Sequence, residues 1–194
     1  AESWMDAVGP DGPWSARGNR ANDVQALWYR QLMVSTAFAE MQGDLAAADR
    51  WNGVAQTLLR NFQRRFVDAE RGTIVDHLNA DGSADPAIRP NQLFALDIVV
   101  DPKDRERIFK NITQTLVYEH GVASLSSADT AFHPYHQYPP FYPKDAAYHN
   151  GIVWTWLAGP WIKSAVEFGR PNLAFRVTEN LVHQILDRGG VGTV

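Results

Sequence analysis

The sequence predicts an all-α chain in which about three helical hairpins form part of an α/α toroid. Six segments carry apolar residues at helical spacing, and each strongly apolar segment is followed by an amphipathic one. Each apolar segment also begins just after a stretch rich in charged and amide side chains. An inner apolar helix that alternates with an outer amphipathic helix is typical of a toroid, and three hairpins make half of a six-hairpin ring.

The first predicted hairpin follows a loop. Residues 1–21 are rich in glycine and proline, which indicates irregular structure. Asn22 or Asp23 is predicted to cap a helix that runs to about Gly43 and is buried on more than one side. Asp44 is predicted to cap the second helix, whose apolar residues recur every three or four positions and therefore form an outer helix.

The second predicted hairpin is preceded by a short strand within residues 73–79. Pro90 suits the first position of a helix, and the apolar run to Val100 predicts a third buried helix. Asp101 followed by Pro102 predicts the start of another outer helix. Its apolar stripe repeats every four residues at Ile108, Ile112 and Leu116.

The third predicted hairpin follows a long connection. Residues 121–145 are rich in proline and aromatic residues, and a connection of this length in a compact domain is usually functional. A helix is predicted from Gly151 to about Gly169, with a kink at Gly159-Pro160. Pro171 is predicted to begin the last helix, which Gly189-Gly190 would close.

The composition limits the possible functions. At 194 residues with 45% hydrophobic content, the chain can form one domain with a real core. The chain has no cysteine, which rules out disulfides, thiolate metal sites and thiol nucleophiles. A net charge of −4 argues against nucleic-acid and membrane partners. The first residues form no leader pattern, and both ends look cut, so we expect a partial domain of a cytoplasmic protein, or else a processed mature one.

The polar stretches before the three apolar helices predict one shared site. Carboxylate, amide and guanidinium groups beside aromatic rings suit a sugar, whose vicinal hydroxyls take paired hydrogen bonds while its apolar face stacks on a ring. The candidate substrate-binding residues are Trp4, Asp23, Trp28, Arg89, Asn91, Gln92, Asp145, His149, Asn150 and Trp154. The structural alternatives are that Asp23 only caps a helix, that Arg89 only pairs with a carboxylate, and that the tryptophans only fill the core.

Asp6 is the candidate catalytic residue. It lies in the first loop beside Trp4, and desolvation by aromatic surface favours a protonated carboxyl that can act as a general acid. The alternative is a solvated aspartate that caps a turn. His133 and His136 form an HxxH pattern, but the neighbouring prolines prevent the helix that this pattern needs, so we expect neither a metal nor a cofactor. No phosphate-binding loop and no serine-hydrolase motif occurs, which leaves acid/base chemistry by carboxylates.

Four motifs resemble the C-terminal amylo-α-1,6-glucosidase domain of glycogen debranching enzymes. The motifs are Ser3 to Ala7, Asp23 to Tyr29, Arg89 to Ala95, and Asp145 with Tyr148 to Pro160. The resemblance implies an (α/α)6 barrel and inverting hydrolysis of an α-1,6-linked glucose, with Asp6 as the general acid. It also implies a catalytic base beyond Val194, because an inverting site needs a second carboxylate. Asp23 and Asn150 depart from the family, which often has Glu and Gln at these positions.

Two other functions fit the same residues. The chain could belong to a toroid hydrolase of a different α-glucoside, such as trehalose or an oligosaccharide. It could also be a non-catalytic carbohydrate-binding module that keeps the motifs for binding. In each case the expected partner is a carbohydrate, either a branched α-glucan or an oligosaccharide, and the isolated segment is expected to have little hydrolytic activity.

Overall fold

The computed structural model describes residues 3–188, and the predicted all-α class is confirmed. The helices are α1 (Asn22–Met41), α2 (Leu45–Arg65), α3 (Pro102–Leu116), α4 (Lys144–Tyr148), α5 (Ala158–Glu167) and α6 (Pro171–His183). Shorter helical turns of the 3-10 type cover Pro90–Phe94, Leu96–Ile98 and Thr155–Leu157, and a π-type turn covers Gln184–Arg188. None of the helices formed by residues 3–188 combines the length and the apolar character that a membrane span requires.

Within residues 3–188, nine strands of two or three residues join these helices. They are β1 (Val8–Gly9), β2 (Gly12–Pro13), β3 (Val67–Asp68), β4 (Thr73–Ile74), β5 (His77–Leu78), β6 (Ala84–Asp85), β7 (Val117–Tyr118), β8 (Gly121–Ala123) and β9 (Val153–Trp154). The first six form three separate antiparallel pairs, and β7, β8 and β9 form one three-stranded sheet. Residues 73–79 therefore contain two short strands where the sequence predicted one.

The hairpin of α1 and α2 forms as predicted, but only one of its two predicted N-terminal caps does. Asp44 caps α2, because its side chain accepts a hydrogen bond of 3.0 Å from the amide of Ala47. The predicted cap of α1 by Asn22 or Asp23 is wrong, since Ala21 occupies the cap position and makes no side-chain bond. Asn22 and Asp23 instead turn their side chains into the protein interior, where both are buried.

The prediction that α1 is buried on more than one side is also wrong for the described chain. Ala26, Leu32 and Thr36 are buried, whereas several large apolar side chains of this helix are exposed. The exposed ones are Leu27, Trp28, Met33, Val34, Phe38 and Met41. Within residues 3–188, only one face of α1 therefore packs against the core.

The buried helix predicted from Pro90 to Val100 is not an α-helix. Residues 90–98 form two short 3-10 turns, and Val99 is already extended. The β-branched run Ile98-Val99-Val100 disfavours helix, which accounts for this early end. The outer helix α3 follows as predicted, because the Asp101 carboxylate accepts a bond of 2.7 Å from the amide of Lys103. Its predicted stripe is fully buried at Ile108, Ile112 and Leu116.

The helix predicted to start at Gly151 begins later, at Ala158. Val153 and Trp154 instead pair with β8, since β-branched and aromatic residues favour strands. The predicted kink at Gly159-Pro160 is not needed, because Pro160 lies in the first turn of α5, where its missing N–H has no helical partner to lose. Pro171 begins α6 as predicted, and Gly189-Gly190 lies outside the described residues.

Candidate active site

The loop before α1 brings Asp6 next to His149, which directly follows α4. The Oδ1 atom of Asp6 lies 3.5 Å from Nε2 of His149. The Asp6 side chain is 71% exposed, whereas that of His149 is only 2% exposed. The predicted desolvation of Asp6 is therefore wrong for the described residues: this carboxylate lies at the open rim, with the buried imidazole beneath it.

Aromatic rings surround this imidazole and form a group that we call the aromatic cluster. Its members are Trp4, Tyr148, His149, Trp154 and Trp156. Trp4 meets His149, Trp154 and Trp156 edge-on, at centroid distances of 5.1, 5.9 and 5.2 Å. His149 stacks on Trp154 at 5.9 Å, and the Trp154 indole donates a hydrogen bond of 2.9 Å to the carbonyl of Tyr148. Such edge and stacked contacts fix the orientation of each ring.

The aromatic cluster contains polar atoms without partners. Nε1 of Trp4 and both ring nitrogens of His149 are buried and form no hydrogen bond with any group in residues 3–188. The 3.5 Å contact to Asp6 is too long to serve as one. Burial lowers the pKa of His149 below its ordinary 6.5, so the imidazole is neutral at pH 7 and offers one donor and one acceptor. These atoms are closed to solvent in this structure and mark an unsatisfied polar position directly beneath Asp6.

Arg89 holds the residues that support this site. Its Nη1 donates to the carbonyl oxygens of His149 and Ser124, and its Nη2 donates to Oδ1 of Asn150 at 3.0 Å. Burial lowers the pKa of Arg89, but an arginine remains charged in a protein. A charged donor to two main-chain carbonyls and one side-chain amide fixes the backbone at His149.

Asn150 joins the first loop to α4. Its Oδ1 also accepts a bond of 2.9 Å from Ser15, and its Nδ2 donates to the carbonyls of Trp14 and Ala146 at 3.2 and 3.1 Å. The residue is buried, with a relative exposure of 3%. Asn150 thus uses its amide within the protein and orients the loop that carries Asp6.

Below the aromatic cluster, Arg17, Asp23 and Asp76 form a network of buried ion pairs. Nε of Arg17 donates to Oδ2 of Asp76 at 2.7 Å, and Nη1 of Arg17 donates to Oδ1 of Asp23 at 2.8 Å. Burial opposes the charge of Arg17, but the two carboxylates outweigh it and hold the pKa of Arg17 above its ordinary value. Burial likewise opposes ionisation of Asp76, yet the hydrogen bond with His77 and the charge of Arg17 keep the pKa of Asp76 below 3.8.

The other predicted binding residues of the second polar stretch contact protein groups. Nδ2 of Asn91 donates to Oδ2 of Asp23 at 2.7 Å. Gln92 accepts from the amide of Ile74 at 2.7 Å and donates to the carbonyl of Arg89 at 3.2 Å. Asn91 and Gln92 are fully buried and Asp23 is 4% exposed, so these side chains support the site from below.

Trp28 lies apart from the aromatic cluster, and Asp145 forms no hydrogen bond or ion pair with it among the described residues. Trp28 is 47% exposed and lines a groove of about 870 Å³ between α1 and α2, and it makes no ring contact with the aromatic cluster. Asp145 lies half-buried in the first turn of α4. The structure therefore brings Trp4, Asp6, His149 and Trp154 together at one surface.

Two important residues have weak sequence signals. Asp76 is not among the candidates above, although it is the one acidic residue in the stretch from Thr73 to Leu78. Trp156 lies in the apolar run from Ile152 to Ala158, which by itself suits a core position, yet it is 45% exposed and completes the aromatic cluster. A lone acid directly after the apolar pair Ile74-Val75 is the signal that could have identified Asp76.

Gly151 allows the chain to approach closely beside the site. Its φ is +149°, and a Cβ atom here would overlap the carbonyl oxygen of His133. We expect Gly151→Ala to destabilise the chain by more than about 2 kcal/mol, because it combines backbone strain with a clash against main-chain atoms. Urea unfolding would measure this loss. Gly53→Ala is the control, since a Cβ there meets open space on α2 and should stabilise slightly; equal effects of the two substitutions would contradict the expectation.

Known proteins place this fold and sequence in a family. A family model described as amylo-alpha-1,6-glucosidase matches residues 1–189. Among solved structures, one titled "Sialidase" aligns with TM-score 0.69 and 14% identity over 94% of this chain and 19% of that one. The GH63 mannosylglycerate hydrolase of Thermus thermophilus aligns in its complex with glucose at TM-score 0.60 and 15% identity, over 85% of this chain and 37% of that one.

These structural matches show the fold alone, because their identities are low. They identify the helices as part of an α/α toroid, as predicted. The chain spans 19% and 37% of the lengths of these two proteins. No curated protein sequence matches it. The family model nevertheless covers almost the whole sequence, and the chain belongs to the amylo-α-1,6-glucosidase family of glycoside hydrolases.

Proposed function

We propose that this chain supplies the general acid and the sugar-binding surface of an inverting glycoside hydrolase. The bond that it cleaves would be the α-1,6 link of a glucose at a branch point of a glycogen-type glucan. The position of the Asp6 carboxylate, 3.5 Å from the buried His149 at the rim of the aromatic cluster, is the observation that carries this proposal. Asp6 would protonate the leaving glycosidic oxygen.

The aromatic cluster suits the ring of a glucose. An apolar sugar face can stack on the exposed indole of Trp156, while the exposed carboxylate of Asp6 can bond to hydroxyls. Nε1 of Trp4 and the ring nitrogens of His149 lie behind this surface without partners among residues 3–188. A stacking surface beside a carboxylate suits a ligand that has both apolar faces and hydroxyl groups.

In this proposal, the hydrogen-bonded residues below the aromatic cluster position it. Arg89 holds the backbone of His149, and Asn150 holds the first loop. Asp23 binds Arg17, and Asn91 binds Asp23. Gln92 binds the backbone of Ile74 and of Arg89. We therefore assign these five residues to support, in place of the direct sugar contacts that their sequence pattern suggested.

The proposal includes a base from outside these 194 residues. An inverting site needs a second carboxylate roughly 6.5–9.5 Å from the acid to activate water. We propose that a segment beyond Val194 supplies it, and that the enzyme acts in the cytoplasm. The chain alone would then bind a saccharide but release glucose only slowly.

The test is glucose release by protein extended past Val194, with a branched limit dextrin, linear maltoheptaose and trehalose as substrates. We expect the branched dextrin to react at least about tenfold faster than the others, and proton NMR should detect β-glucose first, because inversion changes the anomer. Faster release from trehalose would identify a different α-glucosidase. Saccharide binding without any turnover would identify a binding module, and rapid release by the 194-residue chain would refute the external base.

A further inference from the structure

A second group of aromatic rings lies on the surface near the candidate site. Tyr135, Tyr138 and Phe141 are 61%, 48% and 73% exposed. Their rings contact each other, with centroid distances of 5.6 Å from Tyr135 to Tyr138 and 4.9 Å from Tyr138 to Phe141. We call these three residues the platform. Exposed aromatic residues that gather in one patch indicate a binding surface.

The platform is held in place by its own loop. The hydroxyl of Tyr142 contacts both the amide and the carbonyl of Tyr135 at 3.3 Å, and the backbone of Tyr138 bridges to that of Tyr142. The ring of Tyr142 stacks on His133 at 4.2 Å. These contacts order the rings before a ligand arrives, which reduces the entropy lost on binding.

The platform is continuous with the aromatic cluster. The amide of His133 donates a bond of 2.6 Å to the carbonyl of Asn150. The ring of His136 contacts Tyr148 at 5.8 Å, and Tyr148 contacts His149 edge-on at 5.5 Å. The loop of the platform is thus joined to the site by a main-chain hydrogen bond and by successive ring contacts.

The charge of the platform loop selects the kind of ligand. Residues 132–143 contain no aspartate, glutamate, lysine or arginine. A nucleic acid or an anionic lipid surface requires concentrated positive charge, which this loop does not supply. A neutral chain of sugars needs no counter-charge, and its apolar faces can stack on successive rings.

We propose that the platform binds the glucose units of an α-glucan that lie beyond the unit held in the aromatic cluster. This inference rests on the proposed function, since it extends the same site. The substrate class is then a glucan of several units, and the platform discriminates between long chains and short ones. The rest of the glucan lies along residues 132–143 while its end unit reaches Asp6.

The experiment compares saccharides of different length by calorimetric titration of the 194-residue chain. We expect the double variant Tyr138→Ser and Phe141→Ser to bind maltoheptaose about tenfold more weakly and to bind maltose within about twofold of the original chain. Both side chains are exposed, so the fold should persist, which circular dichroism would check. Phe175→Ser is the matched control, because Phe175 is 65% exposed on α6, and it should change neither affinity.

Each outcome separates this inference from the proposed function. Equal maltoheptaose affinity of the double variant and the original chain would refute the platform, and so would a failure of the original chain to bind maltoheptaose. If the double variant instead turns a dimer into a monomer in sedimentation, the rings form a protein contact and the inference is wrong. Trp4→Ala should weaken the binding of both saccharides. If Trp4→Ala loses maltose binding while the double variant keeps its full maltoheptaose affinity, the candidate site is supported and the platform is refuted.

Discussion

Replacing the proposed acid, Asp6→Asn, should lower the rate constant of glucose release by about 10²–10⁴-fold in protein that carries the catalytic base. The amide matches the carboxyl in size but cannot donate an acidic proton to the leaving oxygen. Saccharide affinity should stay within about threefold, because Asp6 is exposed and the sugar is held mainly by the aromatic cluster. Steady-state kinetics with a branched dextrin and calorimetric titration measure the two quantities.

A substrate that needs no protonation provides the decisive comparison. α-Glucosyl fluoride has a good leaving group, so Asp6→Asn should lower its hydrolysis far less than that of the dextrin. Asp11→Asn is the matched control, since Asp11 is an exposed carboxylate of the same loop and should leave both rates unchanged. An equal loss on the fluoride and on the dextrin would mean that Asp6 supports the structure and does not protonate the substrate.

Removing the central cation of the buried network, Arg17→Met, should destabilise the chain by about 3–5 kcal/mol. The side chains of Arg17 and Asp76 are only 3% and 1% exposed, and the substitution leaves Asp76 and Asp23 buried without their main counter-charge. Urea unfolding measures the loss. Arg30→Met is the matched control, because Arg30 pairs with Asp97 at the surface and should lose at most about 1 kcal/mol.

The same network predicts the pH dependence of this loss. The pKa of Asp76 lies below 3.8 in the folded chain, so its ionisation adds stability above about pH 4, and this stability is lost as the pH falls through the lowered pKa. Arg17→Met removes much of the cause of that shift. The difference between the variant and the original chain should therefore shrink below about pH 4. A difference that stays constant from neutral pH into the acid range would show that Arg17 acts by packing alone.

The outer helices could be predicted well because their signals are local. Asp44 and Asp101 cap α2 and α3, and Pro171 begins α6, as their sequence patterns indicated. The inner segments at residues 90–100 and 151–157 could not, because an apolar run has the same composition in a helix as in a buried strand. Val153 became a strand through its pairing with Ala123, which lies far earlier in the chain, and no local pattern contains that partner.

The proximity of Asp6, Arg89 and His149 could be predicted, but the contacts that each of them makes could not. The sequence placed Asp6, Arg89 and His149 near each other, since each lies in a segment that precedes a predicted inner helix. It could not show that Arg89 bonds to the main chain of His149, because a guanidinium suits a ligand as well as a carbonyl. Tertiary packing decides which of these residues are exposed at the rim and which are buried beneath it. Side-chain type alone does not determine this.

The bonds from Ser15 and Trp14 to Asn150 have a consequence for folding order. The two residues that each bond joins are separated by 135 or 136 positions in the sequence. The ends of a very long segment must therefore meet before these bonds can form. Such long-range closure is entropically costly and slow compared with helix formation. The first loop should therefore settle late, after the hairpins have assembled, and Asp6 would reach His149 only in a chain that is already almost native.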